Sequence, residues 1–212
     1  MKKPVLDTDI YGITAEEYSL GRSNIEVVKA MIDAGIRVIQ YREKDSKSIK
    51  ERYEECKKIR KLTKEANVTF IINDYIDIAI LVRADGIHIG QDDLPIEEVR
   101  KLVGPEMIIG LSTHSPEQAQ DAVRRGADYI GVGPIFSTST KKNIGNVAGL
   151  EYLDYVVKNH DIPLVAIGGI KVENIAEIKK RGAKCICLVT EIVGTRDMGK
   201  TVQKIRDILA SV

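Results

Sequence analysis

Apolar residues in this chain gather in eight short runs, at residues 11–14, 38–41, 69–72, 86–89, 107–110, 129–132, 164–167 and 185–188. Most runs are continuous and rich in β-branched residues instead of alternating, the pattern of strands covered on both faces. Charged stretches with apolar residues at helical spacing lie between them. They cover residues 25–34, where Val27, Val28, Met31 and Ile32 share one stripe, then 50–66, a short one near 77–82, and 95–103, 116–125, 150–159, 172–180 and 198–209. Ser115 before Pro116 reads as a helix cap with proline at the first helical position. Four of these stretches run out alike, with Gly35, Gly126, Gly182 or the triplet Ala84-Asp85-Gly86 just before the next strand. Glycine there accepts the left-handed conformation that ends a helix. Recurring helix–glycine–strand units imply right-handed crossovers and a parallel sheet.

Eight such units of about 26 residues fit a closed ring better than an open sheet. The prediction is one α/β domain over residues 1–212, a (β/α)8 TIM barrel over about 10–210 with a short N-terminal extension at 1–9. An open doubly wound sheet is the alternative, but its early glycine-rich dinucleotide turn is missing.

Composition narrows the partners. Apolar residues make up 43% of the 212, enough for one continuous core, and 32 basic residues nearly cancel 31 acidic ones. A net charge of +1 predicts no general attraction to nucleic acid or to an anionic membrane, so any anion is held by a local site. No apolar run approaches membrane-spanning length, and no signal-peptide core follows the basic start. Cys56, Cys185 and Cys187 are too few for a disulfide framework and too closely spaced for paired zinc knuckles. They read as buried thiols of a cytoplasmic protein. The sequence leaves room for a homo-oligomer.

In a barrel the chemistry gathers at the C-terminal ends of the strands, and here those ends are polar. The second run leads into Gln40-Tyr41-Arg42-Glu43-Lys44. Alternation turns Gln40, Arg42 and Lys44 to one side, either as a phosphate-ester site or as a solvated loop of charges. The third run ends in Asn73-Asp74 and the fourth in Gly90-Gln91-Asp92-Asp93. Strands about 4.8 Å apart would let Asp74 and Asp93 share a Mg²⁺ ion with substrate phosphate oxygens; the other reading is helix capping by Asp92 or Asp93. The fifth run leads to Ser112, Thr113 and His114. The sixth opens the longest loop, through Gly133-Pro134-Ile135-Phe136 to Ser137, Thr138, Ser139, Thr140 and Lys141. Its hydroxyls and lysine suit wrapping a phosphate and excluding water. Gly168-Gly169 after the seventh run and Val189-Thr190 after the eighth offer backbone N–H groups for a second phosphate. His88 falls inside a strand and reads as core; His114 reads as a substrate neighbour or a cap; His160 lies at the other end of the barrel.

Gln40-Tyr41-Arg42-Glu43-Lys44, Ile72-Asn73-Asp74, Asp85 through Asp93, Gly131 through Phe136 with Thr138, Thr140 and Lys141, and Ile167-Gly168-Gly169-Ile170, in that order, resemble the thiamine phosphate synthase family over about residues 10–210. The resemblance implies an enzyme acting on two small phosphorylated substrates. It would join 4-amino-5-hydroxymethyl-2-methylpyrimidine pyrophosphate to 4-methyl-5-(2-phosphooxyethyl)thiazole by a dissociative, Mg²⁺-assisted route, giving thiamine phosphate. It implies that Gln40, Arg42, Lys44, Asn73, Ser112 and Lys141 surround the pyrimidine pyrophosphate, with Arg42, Lys44 and Lys141 stabilising the leaving group. Asp74 and Asp93 would hold Mg²⁺, Thr138 and Thr140 would meet the thiazole, and Gly169, Val189 and Thr190 would bind its phosphate. Two departures stand out: Glu191 follows Thr190, and Asn146-Val147-Ala148-Gly149 replaces a proline-containing turn. The rivals are a thiazole tautomerase-like sister enzyme, a phosphate-ligand-binding barrel without catalysis, and an isomerase barrel with an acid–base pair at its strand ends.

Overall fold

The computed structural model describes residues 5–6, 8–43, 47–138, 140 and 147–212. Eight parallel strands follow one another in sheet order as in sequence: β1 (Tyr11–Ile13), β2 (Val38–Tyr41), β3 (Thr69–Asn73), β4 (Gly86–Ile89), β5 (Ile108–Thr113), β6 (Tyr129–Val132), β7 (Leu164–Ala166) and β8 (Cys185–Ile186). An isolated parallel bridge, Ile10 to Ile186, brings the last strand back beside the first. The result is the (β/α)8 barrel that the alternation predicts.

Helices fill the crossovers: α1 (Asn24–Asp33), α2 (Ile49–Glu65), α3 (Ile76–Leu81), α4 (Ile96–Val103), α5 (Pro116–Arg124), α6 (Gly149–Asn159), α7 (Ile175–Lys180), α8 (Val189–Val193) and α9 (Met198–Ala210). Local chemistry starts several of them. Ser23 and Ser48 each accept from the amide three residues on, and Glu26 and Glu51 reach back to the serine amides, so both helices open on capping boxes. Ser115 caps α5 as the sequence predicts. The α2 helix is mostly charged and buries a narrow stripe of Arg52, Cys56, Ile59 and Thr63 at positions i, i+4, i+7 and i+11.

Two features differ from expectation. The α3 turn ends on Arg83 in the left-handed region at φ 54°, whereas Gly86 is already the first residue of β4. Gly35, Gly126 and Gly182 do take the left-handed position, with φ of 78°, 82° and 92°. Helix α7 starts at Ile175 rather than 172, because the Asn174 side chain accepts from the Lys171 amide and closes a turn there.

Alternation along the strands sorts side chains into two layers. Ile39, Ile72, Ile87, Ile109 and Ile130 pack outward between sheet and helices. Burying each contributes about 1.5–3 kcal/mol, and truncating one to alanine would cost about 2–5 kcal/mol. Tyr11, Ile13, Val38, Ile71, Ile108, Tyr129, Val165, Cys185 and Cys187 point inward and fill the barrel.

The N-terminal rim repeats one device. Asp85 accepts from the Phe70 amide (2.8 Å) and Arg60, Asp128 from the Ile109 amide (2.8 Å) and Arg100, and Asp9 from the Ile10 amide (2.9 Å) and Arg206. Each aspartate thus joins a strand start to an outer helix. Fixing this rim leaves the opposite one free to carry loops.

Candidate active site

The register builds the site floor. His88 pairs with Gly110 across β4 and β5, and Gly110 with Tyr129 across β5 and β6. All three positions face inward. Because Gly110 has no side chain, His88 and Tyr129 meet across it: a Cβ there would lie 2.1 Å from Tyr129 Cζ and 2.5 Å from His88 Nδ1. The His88 Nδ1 to Tyr129 hydroxyl distance is 2.9 Å, and His88 Nε2 is 2.9 Å from Ser112 Oγ.

Above this floor a cavity of about 590 Å³ opens at the C-terminal ends of the strands, a volume ordinary for a small-molecule site. Arg42, Ser112, Thr138, Thr140, Gly169, Val189 and Thr190 all line it, seven of the residues marked from sequence. His114 joins them, its ring bonded to the Gly133 carbonyl. Thr138 and Thr140 hydroxyls are 3.1 Å apart. The β7 turn is left-handed at Gly168 (φ 98°) and Gly169 (φ 64°), and Gly168 meets the Pro134 backbone so closely that a Cβ would sit 2.5 Å from Pro134 Cα. These two glycines let the β6 and β7 loops touch. Val189 and Thr190 open α8, the short helix after β8.

Other marked residues lie off that wall. Gln40 is buried inside the barrel beneath it, its amide nitrogen 3.0 Å from the Tyr11 hydroxyl. Asn73 is half-buried at the end of β3. Asp74 is exposed, left-handed at φ 64°, its amide bonded to the His88 carbonyl of the neighbouring strand. Asp93 is exposed and turns Oδ2 back onto the Gly90 amide at 2.6 Å. The α4 cap position is Pro95, without a side-chain cap, so neither Asp92 nor Asp93 caps that helix. Lys44 and Lys141 lie outside the described residues.

Tyr18, Lys171, Ile13 and Cys187 also line the cavity and went unmarked. Lys171 stands two residues beyond Gly169, and a basic residue after a glycine turn could have flagged it. Burial pushes the Cys187 thiol up although Arg42 pulls it down, so it stays a neutral wall. Glu191 is absent from this wall and lines a neighbouring cavity with Thr201 and Lys204.

Asp74 and Asp93 are exposed residues that follow the adjacent strands β3 and β4, and carboxylates are the kind of donor Mg²⁺ takes. Elsewhere among the described residues one acidic trio, Glu16, Glu43 and Glu55, has its oxygens within 4.8 Å of one another. Lys47 Nζ already sits among them, 2.9 Å from both oxygens of Glu55.

A parallel barrel with a cavity of mixed polar and apolar lining at its C-terminal rim is the architecture of an α/β-barrel enzyme. Residues 10–192 match the family model described as thiamine monophosphate synthase. The chain is 64% identical over 206 residues to a thiamine-phosphate synthase of Pelotomaculum thermopropionicum, covering 97% of this chain and 94% of that one. It is 54% identical to one from Lawsonia intracellularis, covering 96% and 94%. Among solved structures, a thiamine phosphate pyrophosphorylase from Pyrococcus furiosus superposes with a TM-score of 0.85 at 35% identity, over 96% of each chain. The chain belongs to the thiamine monophosphate synthase family, and it is an enzyme of the transferase type in thiamine biosynthesis. No helix among the described residues is long and apolar enough to cross a membrane.

Proposed function

We propose that the enzyme couples 4-amino-5-hydroxymethyl-2-methylpyrimidine pyrophosphate with 4-methyl-5-(2-phosphooxyethyl)thiazole, releasing pyrophosphate and forming thiamine phosphate. The observation that carries this reading is one cavity shared by Arg42 and Ser112 on one side and Gly169, Val189 and Thr190 on the other, with Thr138 and Thr140 along it. Two anionic ends can be held apart while their reactive centres face each other. Curated relatives named as synthases favour this over the tautomerase-like alternative.

In the first step the bond between the pyrimidine methylene carbon and the diphosphate oxygen breaks, and its electron pair leaves with the diphosphate. The amino-pyrimidine ring delocalises the resulting cation. In the second step the thiazole nitrogen lone pair forms the new C–N bond, and no proton needs a base. Arg42, with Lys44 and Lys141, stabilises charge growing on the leaving group. Asn73 belongs to the pyrimidine end, Gln40 braces the floor beneath it through Tyr11, and the threonines exclude water around the cation. Asp74 and Asp93 would hold a Mg²⁺ ion, which would supply further neutralisation of diphosphate charge.

The test is turnover of purified protein with both substrates and Mg²⁺, read as thiamine phosphate by chromatography. Arg42→Ala and Asp93→Ala are each expected to lose at least ~100-fold, as for removal of a charge-stabilising contact. Near-normal turnover in both variants overturns the site assignment. Isomerisation of a thiazole carboxylate phosphate without coupling overturns the reaction.

A further inference from the structure

A chain of polar groups crosses the barrel interior from Gln40 to the cavity. Gln40 Nε2 lies 3.0 Å from the Tyr11 hydroxyl, and the Tyr11 and Tyr129 hydroxyls are 2.7 Å apart. The Tyr129 hydroxyl is 2.9 Å from His88 Nδ1, and His88 Nε2 is 2.9 Å from Ser112 Oγ. Both tyrosines are buried, as is Gln40, whereas Ser112 is half-buried and lines the cavity. The chain therefore has a closed end and an open end.

Proton counting gives it a direction. An amide nitrogen can only donate, so the Tyr11 oxygen accepts from Gln40. The Tyr11 proton then goes to the Tyr129 oxygen, because a second donation into Tyr11 would strand its own buried proton. The Tyr129 proton goes in turn to His88 Nδ1. With Nδ1 accepting, neutral His88 carries its proton on Nε2 and donates to Ser112 Oγ. Ser112 is left with its own hydroxyl proton aimed at the cavity. Burial pushes both phenols up, so both keep the protons this order needs.

We infer that Tyr11, Tyr129 and His88 are positioning residues that polarise Ser112 into a hydrogen-bond donor toward an anionic oxygen of the pyrimidine diphosphate. This rests on the proposed reading that Ser112 faces that substrate. A serine free to rotate could point its proton anywhere; this one already accepts from His88, so its own proton is left to donate into the cavity. The missing side chain at Gly110 makes the chain continuous, since a Cβ there would occupy the Tyr129–His88 contact.

The experiment has two independent arms. Long-range proton–nitrogen NMR on protein labelled at histidine nitrogen, with His88 assigned by loss of its signals in His88→Gln, reads the tautomer without any substrate. The expected state is Nε2–H with Nδ1 accepting. An Nδ1–H tautomer means the chain runs backwards and overturns the inference. In the kinetic arm, Tyr129→Phe and Ser112→Ala should each raise KM for the pyrimidine diphosphate about 10-fold, with little change in KM for the thiazole phosphate. The double variant should be no worse than Ser112→Ala, because the two act through one contact. Additive losses overturn the inference. Unchanged KM in Ser112→Ala alongside the Nε2–H tautomer instead overturns the substrate reading, with the direction of the chain upheld.

Discussion

Replacing Lys47 with methionine should lower the melting temperature by about 10 °C near neutral pH and make stability climb as pH falls. Lys47 bonds Glu16, lies 2.9 Å from both oxygens of Glu55 and stands 3.4 Å from Glu43 Oε2. Asn24 donates to Glu43 and Glu55, and the Tyr41 hydroxyl to Glu55, so the acids are fixed in place. Two unit charges 4.8 Å apart repel by about 3.5 kcal/mol at an effective dielectric near 20. Three such pairs would exceed what the fold can bear, so the variant takes up protons instead. Removing one partner of a fully buried ion pair costs about 3–5 kcal/mol; with Lys47 20% and Glu16 34% exposed the low end applies, and at this chain length each kcal/mol moves the melting temperature by about 2–4 °C.

The pH dependence follows from the sign of each shift. Burial alone would lower the Lys47 pKa, but bonds to Glu16 and Glu55 outweigh it and raise it. Its contribution is therefore complete below the unfolded lysine value of about 10.4 and is lost only as pH rises through the higher folded value. Without the lysine, like charges crowded together favour the protonated form of the acids. Their mutual repulsion is greatest at high pH and fades as pH falls and protons are taken up. Thermal melts by circular dichroism between about pH 5 and 8 should thus be flat in this respect for the parent and sloped for Lys47→Met. A variant melting within about 2 °C of the parent near pH 8, or one without the slope, would refute the electrostatic account.

Gly169→Ala should keep the fold yet raise KM for the thiazole phosphate about 10-fold or more. Its Cβ would press within 2.5 Å of the Ser137 carbonyl at a left-handed residue, a conformation that costs about 1–2 kcal/mol for non-glycine residues; unchanged KM would show the turn is not at the phosphate. Arg206→Met should move acid unfolding to higher pH. Burial alone would raise the Asp9 pKa, but Arg206 outweighs it and lowers it, so the pair stabilises above the unfolded aspartate value and is lost as pH falls through the folded one. Identical acid midpoints by circular dichroism would exclude that role.

The strands were legible because burial on both faces leaves unbroken apolar runs; each observed strand overlaps its run. β5 continues past Gly110 to Thr113, since Ser112 and Thr113 are polar yet still paired to β6. The 3-10 turn Glu16–Tyr18 and the five-residue α8 were invisible, being too short for a 3.6-residue period. Much of the cavity wall could be read, because polar residues stranded at strand ends stand out against apolar runs. His88 reads correctly as interior, but its partners Tyr129 and Ser112 are far away in sequence and meet it only through strand register. Lys171 and Tyr18 reach the cavity from turns whose path no local pattern fixes.

The Arg206 guanidinium holds Asp9 and the carbonyls of Ala34 and Gly35, contacts that span up to 197 positions. Beside it the Ile10–Ile186 bridge completes the circle. A ribosome releasing this chain from its N-terminus therefore exposes β1 as an unprotected edge until the final helix emerges. The newborn protein has its greatest hazard of sticking to its siblings late in translation, and a chaperone that shields β1 would have to let go only after residue 206 is free.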